Sequence, residues 1–226
     1  MNKLPRLLIA LGALVAGALV GAAHAQDAKP AQSGSAAAGE KKAAMCIGCH
    51  GIPAYQASFP EIYKVPMIAG QNSKYIVSAL TAYKKGDRKH PTMRAIAASL
   101  TDQDMADLAA FYETENKASA AADAAAATPP QAIADLLKKG NCISCHGDNF
   151  SKPIDASFPK LGGQHADYLF VALKSYQTLG NPKVGRSNPV MSGQVASFKA
   201  AELKVLAKYI GSLDGELQIV PQSRFR

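Results

Sequence analysis

The sequence predicts an all-α protein assembled from two tandem copies of one small domain. Three observations carry that expectation. The segment Cys46-Ile47-Gly48-Cys49-His50-Gly51 returns as Cys142-Ile143-Ser144-Cys145-His146-Gly147, and further motif pairs follow each copy in the same order. Apolar residues recur at helical spacing, with no convincing alternating strand anywhere. Alanine is abundant and β-branched residues are sparse, which argues against an all-β fold. At 226 residues there is room for one large domain or two small ones. With 48% hydrophobic and 19% charged residues, the chain lies far from the composition of disordered proteins.

Residues 1–25 read as a secretory signal peptide. Lys3 and Arg6 form a basic start, Leu7 to Val20 an uncharged apolar run, and Ala23-His24-Ala25 a small-residue cleavage site before Gln26. The alternative is an uncleaved anchor, but the run is short beside the roughly 20 apolar residues of a membrane helix. No Cys follows it to carry a lipoprotein anchor, and no other segment is apolar enough to span a bilayer. Residues 26–38 are a low-complexity leader, expected to be flexible. The first domain is then 39–117, an Ala-rich linker 118–129, and the second domain 130–226. Domains of this size have marginal apolar cores on their own, so something extra should fill each centre.

Within each domain the elements follow from periodicity and caps. Gly39 to Met45 leads into the first Cys-x-x-Cys-His, and Gln131 to Lys139 into the second. Ser73 to Lys85 and Ala166 to Leu179 carry matched apolar stripes after Ala69-Gly70-Gln71 and Gly162-Gly163-Gln164. The last helices show Met105, Leu108 and Tyr112 in one copy and Leu203, Leu206 and Ile210 in the other. Thr101 with Asp104 reads as a capping box, whereas the second copy places Lys199 at the cap and should be weaker there. Before these helices run Gly- and Pro-bearing loops, each ending near a Met: Pro91-Thr92-Met93 and Pro189-Val190-Met191.

All four cysteines fall in the two Cys-x-x-Cys-His motifs, the attachment signature of a c-type haem. On one helical turn, Cys46 and Cys49, or Cys142 and Cys145, each reach a vinyl group of one porphyrin and form thioethers. The adjacent His50 or His146 then faces the iron. A disulfide pairing leaves the His after each second Cys unexplained. A thioredoxin-like site needs a βαβ context. A zinc site would join knuckles nearly a hundred residues apart. Two covalent haems are the expectation. For the sixth iron position, Met93 matches Met191, the only Met of the second domain. Met45 lies on the attachment side, Met105 on an apolar stripe, and Met67 has Lys160 as its counterpart. His90, matched by Asn188, is expected to be a solvated loop residue or a hydrogen-bonding neighbour of the ligand, and His165 a surface residue.

Two such domains, each with Gly-Gln-x3-Tyr-x4-Leu-x2-Tyr and a Pro-x-Met segment over residues 39–213, resemble the dihaem cytochrome c4 family. The resemblance implies two class I cytochrome c folds, each wrapped around a covalent haem, facing each other across a pseudo-twofold axis. It implies His50 and Met93 on the first iron and His146 and Met191 on the second. It also implies an electron carrier in the periplasm, not an enzyme, that serves periplasmic redox proteins, a membrane haem–copper oxidase among them. A contrasting reading is a dihaem electron-transfer subunit of a larger dehydrogenase such as a flavocytochrome. A dihaem peroxidase needs an open iron, which two matched methionines would close.

The formal net charge is +8, but Lys and Arg are scattered and no nucleic-acid motif appears. Lys84, Lys85, Arg88 and Lys89 are expected either to form a cationic patch that steers an acidic partner or, for Arg88 and Arg186, to meet buried haem propionates.

Overall fold

The computed structural model describes residues 33–115 and 128–221. The expected signal peptide, leader residues 26–32 and linker residues 118–127 lie outside them. The described residues are mostly helical, with four strands of two residues each.

In the first repeat, α1 (Ala36–Lys42) and α2 (Ala44–His50) are separated by Ala43 alone, and α2 carries the whole first cysteine motif. Strands β1 (Gln56–Ala57) and β2 (Tyr63–Lys64) close a small antiparallel hairpin. Helix α3 (Ser73–Lys85) has the expected bounds and ends at Gly86, whose φ of 88° makes the left-handed C-cap that a Cβ would strain. Strand β3 (Arg88–Lys89), α4 (Pro91–Ala98) and α5 (Asp102–Thr114) complete the repeat. The second repeat follows the same order as α6 (Gln131–Lys139), α7 (Ile143–His146), α8 (Ala166–Gln177), β4 (Gly185–Arg186), α9 (Pro189–Val195) and α10 (Ala200–Gly211).

Helix α8 stops two residues before the expected Leu179, and two larger features also differ from the sequence reading. The leader ends early, because Ala36–Ala38 already belong to α1, which starts on Ser35 as its N-cap. The approach of α1 to α5 explains why: a Cβ on Gly39 would lie 2.0 Å from the Asp107 carbonyl oxygen, so the glycine lets two backbones touch. Lys42 then reaches Asp104 at 2.7 Å and Asp107 at 2.6 Å. The second difference concerns the methionines. Met93 and Met191 stand on the first turns of helices, not in loops. Pro91 and Pro189 occupy the opening position, where a missing N–H costs nothing, and the preceding side chain caps the turn.

Each repeat has its own apolar core. Met105, Leu108 and Phe111 of α5 pack with Ile47 and Ile76 in the first; Leu203, Leu206 and Ile210 of α10 pack with Leu137, Phe150 and Leu169 in the second. Met105 is 1% exposed, in the core role expected of it. The capping box at Thr101 and Asp104 is complete. At α10 only half survives: Glu202 accepts from the Lys199 N–H at 2.7 Å, since an ammonium cannot accept, and Lys139 braces Glu202 at 3.0 Å.

The repeats are joined by backbone. Strands β3 and β4 pair antiparallel, with Arg88 opposite Arg186, and the Ser187 N–H donates to the Asp87 carbonyl at 2.7 Å. The last described residues of the second repeat cross back to the first. Gln218 N–H donates to the Ala69 carbonyl at 3.0 Å, and Val220 packs against the first core.

Candidate functional site

One continuous cavity of about 920 Å³ runs through both repeats. Its lining includes Cys46, Cys49, His50 and Met93 of the first and Cys142, Cys145, His146 and Met191 of the second. Every residue proposed from sequence for the two irons and the four thioethers therefore faces the same space. No disulfide joins any of the four cysteines, which leaves all four sulfurs for thioether bonds.

The two histidines are held alike. His50 Nδ1 lies 2.8 Å from the Pro66 carbonyl oxygen, and His146 Nδ1 lies 3.2 Å from that of Pro159. A carbonyl only accepts, so Nδ1 carries the proton in each ring. That leaves the Nε2 lone pair free for a metal. Burial lowers both imidazoles below their usual value, and the carbonyl bonds oppose it only in part, which favours the neutral, ligating form.

The methionine helices are capped by equivalent residues of different chemistry. His90 Nδ1 accepts from the Met93 N–H at 3.3 Å, while Asn188 Oδ1 accepts from the Met191 N–H at 2.9 Å. His90 Nε2 also meets the Tyr63 hydroxyl at 3.0 Å. His90 is thus a hydrogen-bonding neighbour of Met93 and not a solvated loop residue. His165, expected at the surface, instead has its Nε2 buried without a hydrogen-bond partner among the described residues.

Two tyrosine-caged arginines complete the site. The Arg88 guanidinium lies over Tyr83 at 4.9 Å from the ring centroid and donates to the Tyr75 hydroxyl at 3.2 Å. Arg186 repeats the arrangement, 5.4 Å over Tyr176 and 3.1 Å from the Tyr168 hydroxyl. These residues correspond one for one between the repeats. Arg88 is 8% exposed, so it does not belong to a surface steering patch. No carboxylate pairs with either arginine among the described residues, and Arg88 Nε is buried without a partner. The unneutralised charge shows in the tyrosines. Burial raises Tyr75, yet Tyr168, equally subject to burial, is pulled below its usual value by Arg186 and Arg88. Buried Arg88 and half-buried Arg186 both line the cavity without a carboxylate partner among the described residues, and this fits the propionate carboxylates of haem.

The cytochrome c family model matches residues 36–114 and 131–214, once per repeat. Cytochrome c4 of Pseudomonas aeruginosa is 31% identical, with 94% of this chain and all of that protein covered. The chain belongs to the dihaem cytochrome c4 family. The crystal structure of reduced recombinant cytochrome c4 from Pseudomonas stutzeri superposes with a TM-score of 0.57 at 27% identity, over 80% of this chain and all of that one. A thiosulfate dehydrogenase electron acceptor of Stutzerimonas stutzeri is 29% identical over 77% of this chain and 82% of its own.

Membership gives the cofactors: two haem c groups, attached through Cys46 with Cys49 and through Cys142 with Cys145. Each bound haem supplies a one-electron iron couple. Members of this family are electron carriers rather than enzymes, and this chain is a dihaem electron-transfer protein. No helix among the described residues is long and apolar enough to cross a membrane.

Sequence reasoning missed the arginine cages as paired structures and gave Gln71 and Gln164 no role. The signal for both was present in the repeat itself: Tyr75, Tyr83 and Arg88 return as Tyr168, Tyr176 and Arg186.

Proposed function

We propose that the protein is a periplasmic carrier in which His50 and Met93 bind the first iron and His146 and Met191 the second. It passes single electrons between respiratory donors and a membrane haem–copper oxidase. The observation that carries this reading is the shared cavity, where each proton-bearing Nδ1 leaves an Nε2 free and each repeat contributes one capped methionine. A thioether closes the iron to substrate and raises its potential, which suits a carrier. The chain's own residues then do three things: the prolines' carbonyls orient the imidazoles, the caps fix the methionine turns, and Arg88 and Arg186 would neutralise the propionates of a bound haem.

The test combines haem counting with a ligand signature. A pyridine haemochrome assay on the mature protein should give two haems per chain. The far-red charge-transfer band of Met-ligated ferric haem should fall by half in Met93→Ala and in Met191→Ala and vanish in the double variant. A band that survives either single change undiminished removes that methionine from the iron.

A second reading is supported by the relative named as a thiosulfate dehydrogenase electron acceptor. In that case the partner is a periplasmic dehydrogenase, and the chain takes electrons from it. Reduction of the oxidised protein by thiosulfate plus a thiosulfate dehydrogenase, at rates matching that enzyme's turnover, would favour this reading.

A further inference from the structure

The Gly-Gln pair that precedes α3 and α8 is part of the repeat, and both glutamines line the shared cavity beside the cysteine motifs. The structure gives the glutamines a crossed arrangement. Gln164, in the second repeat, reaches into the first: its Oε1 accepts from the Met67 N–H at 3.0 Å and its Nε2 donates to the Met67 carbonyl at 2.9 Å. Gln71 does the same in reverse, accepting from the Lys160 N–H at 2.9 Å and donating to the Lys160 carbonyl at 3.0 Å. Both side chains are buried, at 3% and 4% exposure. Each amide oxygen is also held at 3.0 Å by the next backbone N–H of its own repeat, His165 or Asn72. A buried two-point bond to one residue fixes both the position and the tilt of that peptide, and an unmade bond there is costly.

The clamped residues are the immediate neighbours of the two prolines whose carbonyls hold the His50 and His146 imidazoles. Met67 follows Pro66, the acceptor for His50, and Lys160 follows Pro159, the acceptor for His146. We propose that Gln164 positions the His50 hydrogen bond of the first haem and Gln71 the His146 hydrogen bond of the second. Each domain thereby sets the electronics of the other domain's iron. Strengthening the Nδ1–H bond to a carbonyl makes the imidazole a stronger donor and favours ferric iron; loosening it raises the potential. The glutamines touch neither haem ligand, so they act as positioning residues. The inference rests on the reading of His50 and His146 as iron ligands.

The experiment is an NMR redox titration of the holoprotein labelled with 15N-histidine, which follows each haem and each axial Nδ1–H separately. In Gln164→Met, which keeps length and removes the amide, the His50 Nδ1–H should exchange about tenfold faster, the scale of losing a pair of net hydrogen bonds. The first haem's potential should rise while His146 and the second haem stay unchanged. Gln71→Met should give the mirror result. A response confined to the variant's own repeat, or spread equally over both, overturns the proposal. If Gln164→Met does not assemble, Gln164→Asn, one methylene shorter, should show the same crossed shift at smaller size, and no shift there also overturns it. Failure of the ligation reading is separately visible, because the unmodified protein would then lack two iron-bound imidazole signals.

Discussion

Arg88 shows how far a residue's setting can depart from its sequence neighbourhood. It lies in the run Lys84-Lys85-Gly86-Asp87-Arg88-Lys89, which reads as a solvated basic patch. The two-residue strand β3 turns consecutive side chains to opposite sides, so Lys89 reaches the Asn181 carbonyl while Arg88 goes inside. The expectation of a buried propionate partner for Arg88 and Arg186 pointed inward, but the tyrosine cage needs the third dimension to be seen. Buried positive charge favours the reduced form of a nearby haem, and little water screens it. Arg88→Leu and Arg186→Leu should therefore each lower the potentials, by on the order of tens of millivolts. Because the two residues face each other across β3 and β4, each variant should move both waves in spectroelectrochemistry. Unmoved potentials would leave the arginines with a packing role only.

At the scale of elements, helices with long stripes were legible and short ones were not. Ser73–Lys85 could be bounded to the residue, because its stripe runs over three turns and Gly86 ends it. Helix α4 was not seen: eight residues starting at a proline carry too little periodicity, and its cap is a histidine rather than a usual capping residue. The start of α1 was hidden in an Ala-Gly-Ser composition that looks like a leader, and tertiary contacts with α5 decide it. Those contacts make α1 sensitive to acid. Lys42, then the Ser35 N–H and Gln103, hold the Asp107 carboxyl below the ordinary carboxylate value, and Lys42 and Thr101 do the same for Asp104. Both folded values are depressed, so the unfolded chain binds more protons in the acid range. The stabilisation is fully present above pH about 4 and is lost as pH falls through the depressed values. Amide exchange in Ala36–Lys42 should accelerate below pH about 4 while α3 stays protected, and Asp107→Asn should flatten that pH dependence. Equal loss in both helices would instead mean that the whole repeat unfolds together.

The pairing of the two repeats is the level at which the sequence said least. Internal repetition pointed to two copies of one domain and two matched candidate ligand sets, and only the family resemblance said that the domains face each other, without saying through which contacts. A chain joined only through an Ala-rich linker is free to let its domains move, which is the usual expectation for small interfaces. The contacts found are of another kind. The glutamine clamps, the β3–β4 pairing and the Gln218–Ala69 bond all engage main chain, whose donors and acceptors cannot change partners without register shifts. Charged pairs add at the margin: Lys174 with Glu61, and Lys64 with Asp167 at 3.4 Å, are half-exposed and each contribute about 1 kcal/mol or less. Buried main-chain and amide bonds contribute roughly 0.5–1.5 kcal/mol each, and several acting together can outlast the covalent tether. A protease site placed between residues 115 and 128 of the holoprotein should therefore be cleavable without separating the halves. On size exclusion the cut protein should elute with the intact one, and its interdomain electron transfer should keep its rate. Loss of the tether removes an effective concentration of roughly millimolar order, so any dissociation should appear only on strong dilution. Separate elution of two single-haem fragments at micromolar protein would show that the linker, and not the crossed clamps, holds the domains face to face.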